Sequence, residues 1–169
     1  MNKLTTVAVI LISIGLPGAQ SSPGRAISPN PQENRHVNQH ATGPFEVKVA
    51  PQKPDNEVAQ AANIGRFSLA KVYHGDLEGT SNGEMLAAGD PKTSAGAVAM
   101  ERVTGALKGR KGSFVLQHTG TINRGVQSQW EISVVPDSGT DELKGLSGKM
   151  KIIIAADGKH SYDFEYTLE

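Results

Sequence analysis

The sequence predicts an all-β domain in which about eight short antiparallel strands close into a barrel, behind an export signal and a flexible linker. Three observations predict it. From Phe45 to the C-terminus, apolar and polar residues alternate with a period of two, which marks half-buried strands. Between the alternating runs stand Gly-Asp-Pro, Gly-Arg-Lys-Gly, Pro-Asp-Ser-Gly-Thr and Ala-Asp-Gly-Lys, all turn chemistry. The 169 residues include 19 Gly but no Cys, so hairpins and sharp bends, not disulfides, must shape the domain.

The start of the chain reads as a targeting segment. Met1-Asn2-Lys3 gives a positive start, and the apolar run from Leu4 is ended by Gly15 and Pro17, too soon to span a bilayer. Ala19-Gln20-Ser21 offers small residues where a signal peptidase reads, so residues 1–21 are expected to be a signal peptide and the mature protein to be periplasmic or secreted. Residues 22–43, rich in Pro, Asn, Gln and Ser, read as a flexible linker with too little apolar surface to offset the entropy of ordering. His36 and His40 lie four apart within it, but nothing favours the helix that would bring their rings together.

Residues 44–169 are the expected β-barrel domain. Phe45 to Val49 alternates cleanly and is stopped by Pro51 and Pro54, after which Glu57 to Asn63 can form a helical turn. Further strands are expected at Arg66–His74, Glu84–Ala88, Ala95–Thr104, Ser113–Ile122, Gln129–Val135, Lys149–Ala155 and His160–Leu168. A weak repeat, Leu77-Glu78-Gly79, Leu107-Lys108-Gly109 and Leu143-Lys144-Gly145, each followed by another glycine, is read as hairpin turns. Short antiparallel strands without helices to cover an edge are most easily satisfied by closure. A two-sheet sandwich is the second arrangement the pattern allows.

Composition also bounds function. With 17 Lys+Arg against 17 Asp+Glu, the chain shows no charge excess that would call for nucleic acid or an anionic membrane as partner. No thiolate chemistry is available. Gly79-Thr80-Ser81-Asn82-Gly83 matches the nucleophile-elbow pattern, but that motif needs a strand-to-helix turn in an α/β sheet. Ser68-Leu69-Ala70-Lys71 matches S-x-x-K, yet in a strand those two residues point to opposite faces. No cofactor motif is present, and neither a metal nor a cofactor is expected.

Polar residues embedded in apolar strands are more informative. Glu101 shares a face with Ala97, Ala99 and Val103: inward, it is a buried carboxylate needing a partner; outward, a solvated or cross-strand-paired one. His118 alternates with Phe114 and Leu116, and Gln117 with Val115, so either can enter the interior. His160, Tyr162, Phe164, Tyr166 and Leu168 share one face of the last strand and can wall a pocket or fill a core. A three-histidine metal set of His74, His118 and His160 has no support from spacing.

The runs Gly83-Glu84-Met85-Leu86, Ser94-Ala95-Gly96, Glu101 to Gly105, Gly112-Ser113-Phe114-Val115-Leu116-Gln117-His118 and Val134 to Thr140 resemble a bacterial family known as a domain of unknown function, number 3224. Gly145-Leu146-Ser147-Gly148 and Tyr162-Asp163-Phe164 fit as well, so the resemblance runs from about Phe45 to the C-terminus. It implies a small barrel similar to plant allene oxide cyclase, with no assigned activity. An aromatic often stands in that family where this chain has Ala97, and its members are commonly bare domains without a signal and linker.

Two functions from different classes follow as expectations. The favoured one is a secreted binding module holding a small, mostly apolar molecule inside the barrel, with Glu101, Gln117 and His118 as polar contacts and Tyr162 and Tyr166 in the wall. The alternative is an isomerase or cyclase in which Glu101 or His118 moves a proton. A filled barrel acting through its surface, and a homo-oligomer, also stay open.

Overall fold

A computed structural model describes residues 38–168, so the expected signal peptide and most of the linker lie outside the described residues. The chain forms β1 (Gln39–Gln52), α1 (Glu57–Ala62), β2 (Gly65–Tyr73), β3 (Leu77–Asp90), β4 (Ser94–Leu107), β5 (Arg110–Asn123), β6 (Val126–Val134), a 3-10 turn (Asp141–Leu143), β7 (Ser147–Ile154) and β8 (His160–Thr167). Each strand pairs antiparallel with the next, and β1 pairs with β8, so the sheet closes as a barrel and not as a sandwich.

Turn chemistry sets the register. Lys108 and Gly109 both have positive φ, as do Arg124 and Gly125, and these pairs make the tight β4–β5 and β5–β6 hairpins whose twist matches that of the strands. A bulge near Thr121 and Ile122 lets Ile122 pair with Gln127, adding one residue on β6. The helical turn α1 is capped by Asn56, whose Oδ1 accepts from the Ala59 amide at 2.8 Å, and ended by Asn63 in the left-handed region.

Three expectations need correction. Residues 39–43, read as linker, form the start of β1 because β8 offers them a ladder from Tyr166 to Tyr162, and Ala41 is fully buried there. Gly79 and Gly83, read as turn glycines, lie within β3, which is fourteen residues long. They stand opposite Gly105 and Glu101, where the neighbouring strand leaves no room for a Cβ. The strand expected at Glu84–Ala88 is thus only the second half of β3.

The barrel is filled at one end. Tyr73, Leu77, Val103, Leu107, Phe114, Leu116, Phe164 and Tyr166 are part of its core, and Leu143 of the 3-10 turn and Leu146 just before β7 pack against them. The Phe114 and Phe164 rings stack at 5.8 Å, and the Tyr73 ring meets Tyr162 edge-on at 5.6 Å. Tyr162 is hydrogen-bonded on both sides, its hydroxyl accepting from the Leu77 amide at 2.8 Å and donating to the His74 carbonyl at 3.0 Å. Among the described residues no helix is long and apolar enough to cross a membrane.

Candidate functional site

Midway along the barrel the apolar filling gives way to a polar cluster. Period-two geometry turns Lys71 and Tyr73 of β2, Ser81 of β3, Glu101 of β4 and His118 of β5 to the interior, and all five are buried. Glu101 is the hub. Its Oε1 receives hydrogen bonds from Lys71 Nζ at 2.7 Å and Tyr73 OH at 3.2 Å, and lies 2.9 Å from His118 Nε2. Its Oε2 accepts from Ser81 Oγ at 2.8 Å. The backbone makes room for the hub, since Gly83 stands directly across the ladder from it.

The electrostatics are decided by these contacts. Burial alone would raise the Glu101 carboxyl, but the His118 hydrogen bond and the Lys71 charge outweigh it and hold the group at about 2. Glu101 is therefore an anion at neutral pH. An ionised carboxylate only accepts, so the hydrogen between it and His118 is carried by Nε2. In the neutral ring Nδ1 is then left as an acceptor, and it has no hydrogen-bond partner among the described residues. Burial and the adjacent Glu101 charge push the Tyr73 phenol far above its ordinary value, so it stays a donor.

Above the cluster the barrel is hollow. A cavity of about 230 Å³ opens towards the end that carries the β3–β4, β5–β6 and β7–β8 turns. Phe45, Leu69, Met85, Ala99, Trp130 and Ile152 contribute to its wall, and Lys71 and His118 are its polar lining near the cluster. Lys71 Nζ also lies 5.4 Å from the Phe45 ring centroid and 5.8 Å from that of Tyr73, so aromatic faces share its charge. Gly120 lets the Trp130 ring lie against β5, where a Cβ would collide with it.

A family model for proteins of unknown function, DUF3224, matches residues 41–166, nearly all of the barrel. The chain belongs to the DUF3224 family. A solved DUF3224 protein of unknown function from Shewanella oneidensis MR-1 is similar to it at 42% identity and a TM-score of 0.70, the match covering 79% of this chain and 98% of that one. Comparison with curated proteins found no match.

Within this DUF3224 barrel the residues singled out from sequence separate into three places. Glu101 and His118 meet at the polar cluster. Gln117 is exposed on the outer face of β5, beside Met100, its partner across the ladder. Tyr162 and Tyr166 lie in the filled end, where Tyr166 OH donates to Gln39 at 3.1 Å, and neither lines the cavity. His74 binds Glu46 at 3.0 Å away from the cluster, and His160 sits on the cavity wall against Phe45. Among the described residues no His, Asp and Glu side chains gather as a metal-holding group.

Sequence reasoning missed Lys71, Tyr73 and Ser81. The signal was present in Leu69-Ala70-Lys71-Val72-Tyr73, where a lysine occupies an apolar position of a period-two run.

Proposed function

We propose that the DUF3224 barrel is an exported binding module that holds one small, mostly apolar molecule in the hollow half of its interior. The observation that carries this reading is the cavity of about 230 Å³ whose walls are largely apolar, with Lys71, His118 and His160 as the polar side chains among its lining. An engineered apolar cavity of about 150 Å³ in another protein takes up benzene, so this space suits a single substituted ring or a compact aliphatic molecule. Native mass spectrometry of the full chain, purified gently from its own host, tests it. A bound mass that disappears on denaturation is expected, with the chain shortened by cleavage near Ser21. A protein that is empty and whose single Trp130 shows no fluorescence change with any compact apolar probe overturns it.

A second reading, an isomerase or cyclase by fold-level analogy with allene oxide cyclase, rests on the unpartnered His118 Nδ1. Glu101 is too strongly held as an anion to give a proton at neutral pH, so on this reading His118 moves the proton and Glu101 orients it. Turnover that survives His118→Gln removes it.

A further inference from the structure

The inner end of the cavity carries an imbalance that identifies a ligand class. Lys71 is almost fully buried, yet among the described residues its ammonium makes one hydrogen bond, to Glu101, leaving two donors unused. His118 Nδ1 has no partner among the described residues either; Lys71 Nζ and His118 Nε2 meet at one Glu101 oxygen and both side chains line the cavity, so one small polar group can reach Lys71 and the far nitrogen of the His118 ring together. Hydrogen-bonding capacity left unused in an apolar surround is unfavourable, most of all on a charged group, and a suitable ligand would relieve it.

Resting on the binding-module reading, we propose that the cavity takes a compact, apolar carboxylic acid, seated with one oxygen on Lys71 and the other on His118 Nδ1, and bound together with one proton. Three hydrogen bonds are on offer: two from Lys71 and one at Nδ1. A carboxyl group has the two oxygens needed to use all three, whereas a ketone or ester leaves Nδ1 unpaired. With the His118 ring neutral, the cluster sets one ammonium against one carboxylate, so an added anion would leave a net buried charge. A proton shared between the ligand carboxyl and Nδ1 removes that charge, whichever of the two atoms holds it. The groups facing this proton are Lys71 and Tyr73 from β2, Glu101 from β4 and, on the cavity wall, His160 from β8.

The test uses the full chain and four single-ring probes of matched size: para-ethylbenzoate, its methyl ester, para-ethylphenol and ethylbenzene. Calorimetry in buffers of different ionisation enthalpy, with Trp130 fluorescence, reads affinity and proton uptake. The acid is expected to bind at least tenfold more tightly than the other three near neutral pH, taking up one proton per molecule. Its Kd should rise with pH, by about tenfold per unit wherever one proton is taken up on binding. His160→Gln should keep this pH dependence, and His118→Gln should abolish it. Equal, pH-independent binding of the ester or hydrocarbon overturns the carboxylic acid but leaves the binding module standing. Binding by none of the four, with no bound mass from the host, overturns both. The proton count is read on the unaltered protein, so the outcome does not depend on a variant that fails to fold.

Discussion

Lys71 Nζ lies 2.7 Å from Glu101 Oε1 in the middle of the barrel, with both side chains almost wholly withdrawn from water. Such a pair gains little net stability over apolar residues of the same size, but breaking it leaves one charge stranded. Lys71→Met is therefore expected to destabilise the barrel by about 3–5 kcal/mol. Lys71→Met combined with Glu101→Gln should recover most of that loss. Urea denaturation of the two variants checks it, and equal destabilisation by both would show that the charge is not the cause.

The depressed Glu101 carboxyl makes stability depend on acid. Its pKa is about 2 in the fold, against an unfolded value near 4.5, so the unfolded chain binds the proton more readily. The stabilisation is fully present above the unfolded pKa and is lost as pH falls from there through the folded value. It amounts to roughly 3 kcal/mol. Denaturation midpoints measured across that window should fall steeply for the natural protein and more gently for Glu101→Gln.

Tyr162 ties β8 to the start of β3 through the Leu77 amide and the His74 carbonyl. Tyr162→Phe strands the fully buried Leu77 N–H and is expected to cost about 1–3 kcal/mol. Because the ring lies outside the cavity wall, ligand retention in native mass spectra should not change. A variant that lost the bound mass at unchanged stability would place Tyr162 in the site after all.

Gly83 gives Glu101 its place. A Cβ there would come 2.6 Å from that of Glu101 and collide with the Met100 carbonyl on the same neighbouring strand. Gly83→Ala is expected to destabilise by about 1–3 kcal/mol and to weaken ligand retention, because the hub must shift. Gly109→Ala, at a turn where a Cβ meets nothing, should lower stability through its positive φ alone and leave retention intact.

Much of the architecture was legible because each strand announces itself locally. The alternation in Ser113–Ile122 and the turn residues Lys108-Gly109 required no knowledge of distant partners. What was not legible depends on neighbours far away in the chain. Gln39–Gly43 has no apolar alternation of its own and is a strand only because β8 is there to receive it. Gly79 and Gly83 are required by the approach of β4, which no local pattern reveals. At the site, the faces of Glu101 and His118 were readable, but whether those faces turned in or out was settled by closure. Lys71 escaped because a lysine in a strand is ordinarily a surface residue, and its inward turn makes sense only with the Glu101 anion thirty positions later.

Among the described residues, Ser133 and Lys149 are the only register pair along the β6–β7 junction, reinforced by the Lys149–Glu131 ion pair at 2.8 Å. A cylinder with one sparsely laced stave boundary does not breathe evenly. The amides of β6 and β7 that face this boundary should exchange with deuterium through a local parting of the wall, well before those of β4 and β5 do. Ile152 of β7 and Trp130 of β6 both border the hollow, so such a parting would open the chamber from its side. Occupancy of the chamber should in turn slow the exchange.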